Sequence, residues 1–205
     1  MPRAARVESP VSSSRTKLVL TTLDLLRRGG LSGAGINQVV DASRAPKGSV
    51  YHYFPGGKQQ LVIEALHEAK RTVGDGFAQT FRAKGAAADK VRALFRTTAA
   101  ALAANGFTKG CPVAAVTLDL DRESEPLRRV CERIFDAWVE TIAAGLDDVP
   151  ATERPAVAQL ILAALEGGLV LARARAAAAP LVDSGNVLAA MLAARFARRR
   201  RADRP

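Results

Sequence analysis

Residues 36–54 read INQVVDASRAPKGSVYHYF, two short helical patterns interrupted by a non-periodic segment. In the first, Ile36, Val39 and Val40 share one helical face while Asn37, Gln38 and Asp41 point away from it. Ser43-Arg44-Ala45 carries no such pattern, and Pro46 holds the residue before it extended while suiting the first turn of a new helix. A second helix is therefore expected from about Lys47. Val50 and Phe54, four residues apart, turn inward in it, and Lys47, Ser49, Tyr51, His52 and Tyr53 are left as a hydrogen-bonding outer surface. Two helices joined by a tight turn, the second presenting polar groups, have the shape that enters a DNA major groove.

The flanks support a small helical head on a larger helical body. Residues 14–28 predict a helix with Val19, Leu23 and Leu26 inward, ended by Gly29-Gly30. Pro55-Gly56-Gly57 makes a turn, and Lys58 opens a long helix that turns Leu61, Val62, Ala65, Leu66 and Ala69 inward. Gly74 and Gly76 fall inside it, each costing about 1 kcal/mol against alanine, and are expected to mark a bend or hinge. Further helices are expected over 88–105, with Val91, Leu94, Phe95, Thr98 and Leu102 on one face, and over 112–120. The loop Gly106-Phe107-Thr108-Lys109-Gly110 separates them. The next spans 125–146, burying Leu127, Cys131, Ile134, Trp138 and Ile142, and two alanine-rich helices cover 154–178 and 180–198. The expected fold is all-α: a disordered arm 1–13, a helix-turn-helix domain 14–57, a helical domain 58–198 and a basic tail 199–205.

Composition agrees. The chain has 205 residues, 48% hydrophobic and 5% aromatic, and lacks alternating valine-rich strands, so it is expected to be almost wholly helical. Its uninterrupted apolar runs, such as 160–165, are far shorter than the roughly 20 residues of a membrane span, and residues 1–14 have no apolar signal core. Cytoplasmic residence and no membrane partner are expected. Two cysteines and two histidines make neither a disulfide framework nor a zinc site, so no metal and no cofactor is expected. The net charge of +10 sits at the ends: residues 1–57 hold 8 basic and 3 acidic side chains, residues 195–205 hold 6 and 1, and the middle holds 16 and 16. The N-terminal excess coincides with the helix-turn-helix, where cations would neutralise phosphates. For the run Arg198 to Arg201 three readings stand: a disordered or frayed tail, which is favoured, a helix end, or a second nucleic-acid contact.

KGSVYHYF followed by PGGK, residues 47–58, resembles the end of the helix-turn-helix of TetR/AcrR-type repressors, whose recognition helix reads Lys-Gly-(Ser/Thr)-aliphatic-Tyr-x-x-Phe, with a lysine opening the next helix. GFTKGCPVAAVTLDL, residues 106–120, resembles a ligand-domain segment of one branch, the repressors of lincomycin-resistance and flavonoid-responsive operons. The resemblance covers about residues 14–195. It implies a homodimeric repressor, bound to double-stranded DNA at a palindromic operator and released by a small-molecule inducer. On it, Tyr51 and Tyr53 contact phosphates, Lys47, Gly48 and Ser49 lie at the end of the helix that reaches the groove, His52 meets a base edge and Lys58 meets the backbone. Packing of the small domain is the competing role for the two tyrosines. Two positions depart from the pattern. Arg44 stands where the turn usually has glycine, and either accepts a left-handed backbone or adopts another turn, with its side chain free for a phosphate. Gly33-Ala34-Gly35 stands where a capping Ser or Thr is usual.

In the body, Phe77, Phe81, Phe95, Phe107, Cys111, Val113, Val116, Thr117, Trp138, Leu165, Glu166 and Leu169 are candidates for a pocket, with ordinary core as the competing role for each. Few charges interrupt these faces, which favours a hydrophobic or aromatic ligand over an anion. Glu166 and Arg173 share a helix face and could orient a polar group or pair across a dimer. Cys111 is read as structural in preference to redox-active. In TetR-like proteins the last two helices form the dimer, which places Leu160, Ala164, Gly167, Gly168, Leu171, Leu188, Met191 and Leu192 at an interface. No nucleophile elbow, phosphate loop or metal constellation supports an enzyme. A ligand-independent architectural DNA-binder would leave the long neutral body without a use.

Overall fold

The computed structural model describes residues 10–121 and 124–202, and the side chains of 14–46, 48–121 and 124–196. Among the described residues there are nine α-helices and no strand: α1 Pro10–Gly33, α2 Ile36–Ser43, α3 Lys47–Tyr53, α4 Gly57–Arg82, α5 Ala87–Ala104, α6 Pro112–Leu118, α7 Glu125–Ala144, α8 Arg154–Arg175 and α9 Ala179–Ala202. The order and the breaks are those expected. α1 begins at Pro10, earlier than expected, so the end of the anticipated N-terminal arm is helical; residues 1–9 of that arm lie outside the described residues.

The head forms around α1. Leu18, Val19, Leu23 and Leu26 meet Val39 and Val40 of α2, Val50 and Phe54 of the α3 region, and Leu61 and Val62 at the start of α4, all within the core. Arg15 pairs with Glu64 and lies 5.3 Å over the Phe54 ring, which pins α1 across the end of the motif. α1 breaks where the paired glycines predict. Gly29 (φ −142°, ψ 22°) and Gly30 (φ 59°, ψ −152°) leave the helical region, and a Cβ on Gly30 would collide with the Asp119 carboxylate. Both the backbone and the neighbour therefore require glycine there.

The turn before α3 is left-handed, and a non-glycine residue makes it. Arg44 sits at φ 55°, ψ 31°; its N–H donates to Asp41 O at 3.3 Å, and Ala45 N–H donates to Val40 O at 3.3 Å. These bonds satisfy the last carbonyls of α2 and hold the strained residue in place. At the other end of α2 the Gly35 N–H donates to Gln38 Oε1 at 2.7 Å; glycine has no side chain to return the bond, so only half of a capping box exists.

The body is a bundle in which α7 packs on α4 and α8, and α9 lies along α5 and α8. α4 runs unbroken through Gly74 and Gly76, so the expected bend is absent: Gly74 faces the Trp138 indole, and Gly76 faces a cavity. The Trp138 Nε1–H donates to Lys70 O at 3.2 Å, and its ring stands edge-on to Phe77. At the far end of α4, Lys90 is only 4% exposed, and its ammonium donates to Phe81 O (3.0 Å) and Gly145 O (2.7 Å), with Asp147 Oδ2 at 3.4 Å. A buried cation is stable here because it meets the carbonyl ends of α4 and α7. α9 ends at the same pole, where Arg195 pairs with Glu153 at 2.5 Å. Its helix continues through Ala202, so the backbone of 198–201 is helical rather than the tail expected. The arginine side chains themselves lie outside the described ones.

An L-residue in the left-handed region costs on the order of 1 kcal/mol. Arg44→Gly is expected to raise the unfolding free energy by about that amount, measured as a higher urea midpoint with an unchanged slope. An unchanged or lower midpoint would show that the turn is not strained.

Candidate nucleic-acid interface and ligand cavity

α3 presents the surface its periodicity implies. Val50 and Phe54 are completely buried, Tyr51 is 61% exposed, and Gly48 and His52 are exposed with Ser49 half-buried between them. The Lys47 side chain lies outside the described ones. Tyr53 divides its roles: half-buried, it packs on the core and meets the edge of the His52 ring at 4.8 Å between centroids. Arg44 is exposed beside the motif. The Lys58 ammonium donates to Leu31 O at 2.9 Å, which anchors the start of α4 to the end of α1 and leaves its other N–H groups available.

In the body, a cavity of about 320 Å³ lies between α4, α5, α8 and the segment before α6. Of the twelve pocket candidates, Phe77, Cys111, Leu165, Glu166 and Leu169 line it. The others do not. Phe81 packs against Gly145, Phe95 packs against Gly185 of α9, and Trp138 lies behind Phe77. Val113 and Val116 are the buried face of α6, Thr117 is turned outward, and Phe107 occupies a left-handed loop position. A side chain on an inward face fills space as readily as it lines a cavity, and Phe81, Phe95, Val113, Val116 and Trp138 fill it. The threonines Thr72, Thr80, Thr97 and Thr98, with Asn105 and Arg27, also line the cavity. Hydroxyls on otherwise alanine- and leucine-rich faces were the available signal for them.

Two side chains in the cavity have displaced protonation. Burial pushes the Glu166 carboxyl up to about 7, against a smaller opposing effect of its hydrogen bond with Cys111. Burial, and then the neighbouring Glu166 charge, push the Cys111 thiol well up. Cys111 is thus held as a thiol, and its Sγ accepts the Ala114 N–H at 3.5 Å to cap α6. Arg173 does not pair with Glu166: its Nη2 donates to Arg28 O and Thr108 O, each at 3.3 Å.

The cavity wall is also a strap on the head. Lys109 lines the cavity and pairs with Asp24 of α1 at 2.5 Å; Gly110, beside it, donates its N–H to Arg27 O at 2.8 Å. Burial raises the Asp24 carboxyl, but hydrogen bonds and charge from Lys109 and Arg28 overcome it and hold the group below the usual range. Asp119 beyond α6 accepts the Leu31 N–H at 2.7 Å. These pairings join residues far apart in the chain, and no local pattern announces them.

On the outside of the bundle, Leu160 and Leu171 of α8 are about half exposed, with Gly167 facing open space and Ala164 half-buried between them; Met191 of α9 is 62% exposed. Val170 and Val187 extend this stripe and were not anticipated. Three anticipated members belong inside one subunit. A Cβ on Gly168 would stand 2.8 Å from Leu181 Cδ2, and Leu188 and Leu192 are buried in the core. α8 is, by length and composition, apolar enough to cross a membrane, which its short uninterrupted runs did not show. Its Ile161, Leu162 and Leu165 side is part of the bundle core.

A helix-turn-helix with an exposed recognition helix, strapped to a helical body with a cavity, defines a DNA-binding transcriptional regulator. Residues 18–65 match the model of bacterial regulatory proteins of the tetR family, and residues 87–187 match the C-terminal domain of LmrA/YxaF-like transcriptional regulators. The chain belongs to the TetR family, in the LmrA/YxaF-like branch. It is 29% identical to the HTH-type transcriptional regulator LmrA of Bacillus subtilis over 181 residues, 87% of this chain and 96% of LmrA. It is 32% identical to YxaF of the same organism over 171 residues, 82% and 90% of the two chains. Among solved structures, a regulatory protein TetR from Rhodobacter sphaeroides superposes with a TM-score of 0.78 at 21% identity, covering 86% of this chain and 97% of that one. A cysteine mutant of the TetR family regulator CifR, complexed with 26-bp operator DNA, superposes at 0.74 with 22% identity, over 92% and 97%.

Glu166 gives stability a pH dependence of definite sign. Its carboxyl ionises at about 7 in the fold, against an ordinary 4.5. Between those values the folded chain holds the extra proton, so this group's contribution falls as pH rises from 4.5 to 7 and stays lowered above. Glu166→Gln is therefore expected to raise the urea midpoint at pH 8 relative to wild type and to change it far less at pH 5. Equal effects at both values would show that Glu166 ionises normally.

Proposed function

We propose that the protein is a ligand-responsive repressor that binds a palindromic operator as a homodimer and is released by a small, largely apolar molecule in the α4–α5–α8 cavity. The observation that carries this reading is the shared wall: Lys109 and Gly110 face the cavity and hold Asp24 and Arg27 of α1. An occupant that displaces this segment, or Thr72 to Thr80 of α4, changes how the head is held. The unbroken α4 converts such a change into movement of α3, because 26 residues make a lever roughly 39 Å long. Two recognition helices fit successive half-sites only at a spacing of about 34–36 Å. Moving the population from 1:99 to 99:1 requires the ligand to prefer the released state by about 5.5 kcal/mol. An architectural DNA-binder gains nothing from a cavity coupled to the reading head. Function as a regulator of this kind also implies residence in the cytoplasm, with its DNA.

On DNA, the exposed Tyr51 hydroxyl and Lys58 serve phosphates, Tyr53 shares that role with packing, and Lys47, Gly48, Ser49 and His52 face the groove. Tyr51→Phe and Lys58→Ala are expected to weaken operator and nonspecific DNA alike, about fivefold for the loss of one hydrogen bond of ~1 kcal/mol. Ser49→Ala and His52→Ala are expected to alter the ranking of operator variants. Gel-shift titrations over a set of base substitutions measure both, and unchanged affinity in all four variants would move the DNA surface elsewhere.

The exposed stripe of α8 and α9 is the proposed dimer face, since apolar surface of this kind is stable when a second copy covers it. Met191→Glu and Leu171→Glu are expected to give monomers in sedimentation, with operator affinity down at least tenfold. Gly168→Leu is not an interface test, because it strikes Leu181 of the same subunit. A wild-type monomer, or dimers that survive both glutamates, would overturn the assignment.

A further inference from the structure

Among the described residues, three charged side chains line the cavity: Lys109 is paired, while Glu166 and Arg27 have no ion-pair partner. From α1, Arg28 donates to Asp24 at 2.8 Å, and Arg27 is half-buried at the lining. Lys109 is taken by Asp24, Arg173 by the carbonyls of Arg28 and Thr108, and Asp119 by the Leu31 N–H. α4 and α5 contribute threonines and Asn105 to the lining but no charge. The Glu166 carboxyl itself meets the Cys111 thiol, a weak donor, and borders both the cavity and a smaller cleft of about 240 Å³ toward Gly30 and Arg173.

We infer that the cavity takes an organic ammonium: a small, largely apolar amine whose cation pairs with the Glu166 carboxylate while its hydrocarbon lies against Phe77, Leu94, Leu165 and Leu169. This rests on the reading of the cavity as the effector site and adds the chemical class of the effector. A partly desolvated carboxylate without a cationic partner is costly, and a bound cation removes that cost, whereas a neutral ligand does not. An anion beside Glu166 meets the opposite balance: the carboxylate repels it, and of the two cationic wall groups Lys109 is already paired with Asp24, which leaves Arg27 on α1. A volume of about 320 Å³ sets the size at the lower end of ligand sites, enough for a two-ring aromatic with a short arm.

The test uses the full-length protein and three probes of one shape: 2-(2-naphthyl)ethylamine, 2-(2-naphthyl)ethanol and 2-naphthylacetate. Affinities are read by calorimetry, and by the fluorescence of Trp138, the single tryptophan, whose ring contacts the cavity residue Phe77. At pH 8 the amine is expected to bind at least tenfold more tightly than the alcohol, and the acid most weakly. At pH 5.5, with Glu166 protonated, the amine's advantage is expected to shrink below threefold. At pH 7, amine binding releases protons to the buffer and alcohol binding releases none. Glu166→Gln erases the advantage at pH 8 while leaving alcohol affinity within threefold; Glu166→Asp, which keeps the charge, retains part of it. Equal binding of amine and alcohol at pH 8, an advantage that survives Glu166→Gln, or no saturable binding by any probe overturns the inference. Operator binding is titrated in parallel. Release of DNA by the alcohol with no preference for the amine would sink the ammonium assignment alone, and amine binding through Glu166 that leaves DNA affinity unchanged would sink the repressor mechanism alone.

Discussion

A helix that stops inside a protein leaves carbonyl and N–H groups that must be satisfied, and the end of α1 is where this requirement shapes the molecule. The chain breaks at Gly29-Gly30, and the groups freed there find partners mostly in the body. Gly110 serves Arg27 O, Arg173 serves Arg28 O, Asp119 serves Leu31 N–H, and Lys58 serves Leu31 O. The head and the body are thus joined by polar bonds of fixed geometry as well as by the apolar contact of α1 with α4 and α6. Apolar faces tolerate sliding, whereas a hydrogen bond to a helix end is made or lost. A junction of that kind suits two discrete arrangements better than a continuum.

How much of this was legible depended on whether the determinant was local. The helix-turn-helix was, because period, proline and turn lie within residues 36–54, and Val50 and Phe54 turn inward as their spacing demands. The strain at Arg44 was posed by the sequence as a choice, and the fold resolves it toward the left-handed backbone. The cavity was half legible. An inward-facing aromatic can fill space as easily as line it, and Phe81, Phe95 and Trp138 fill it. Gly74 and Gly76 misled for a related reason: glycine in a helix signals a bend only when nothing else explains it, and here one faces the Trp138 ring and the other the cavity. The strap residues Asp24, Lys109 and Asp119 were not legible at all, because each acts on a segment far away in sequence.

The small-residue helices show the same ambiguity in another form. Gly167 and Gly168 are adjacent and chemically identical, but a rotation of about 100° per residue sends one to open space and the other against Leu181. Composition marks α8 and α9 as helices that approach something closely. It does not say whether that partner is in the same subunit, and only the packing of α9 on α5 separates Leu188 and Leu192, which are core, from Met191 and Val187, which are surface.

Charge placement follows from the same architecture. α3 lies at the start of α4, whereas α9 ends near the opposite end, where Arg195 meets Glu153 and Lys90 binds the carbonyls of Phe81 and Gly145. The helix between these poles is roughly 39 Å long, several times the ~8 Å over which physiological salt screens a charge. Arg195, at that pole, is therefore too far from α3 to add to the field at the helix-turn-helix of its own subunit. A net charge of +10 is thus no measure of the field at one site: among the described residues, the cations near α3 are those of the head, Arg44 and Lys58 among them.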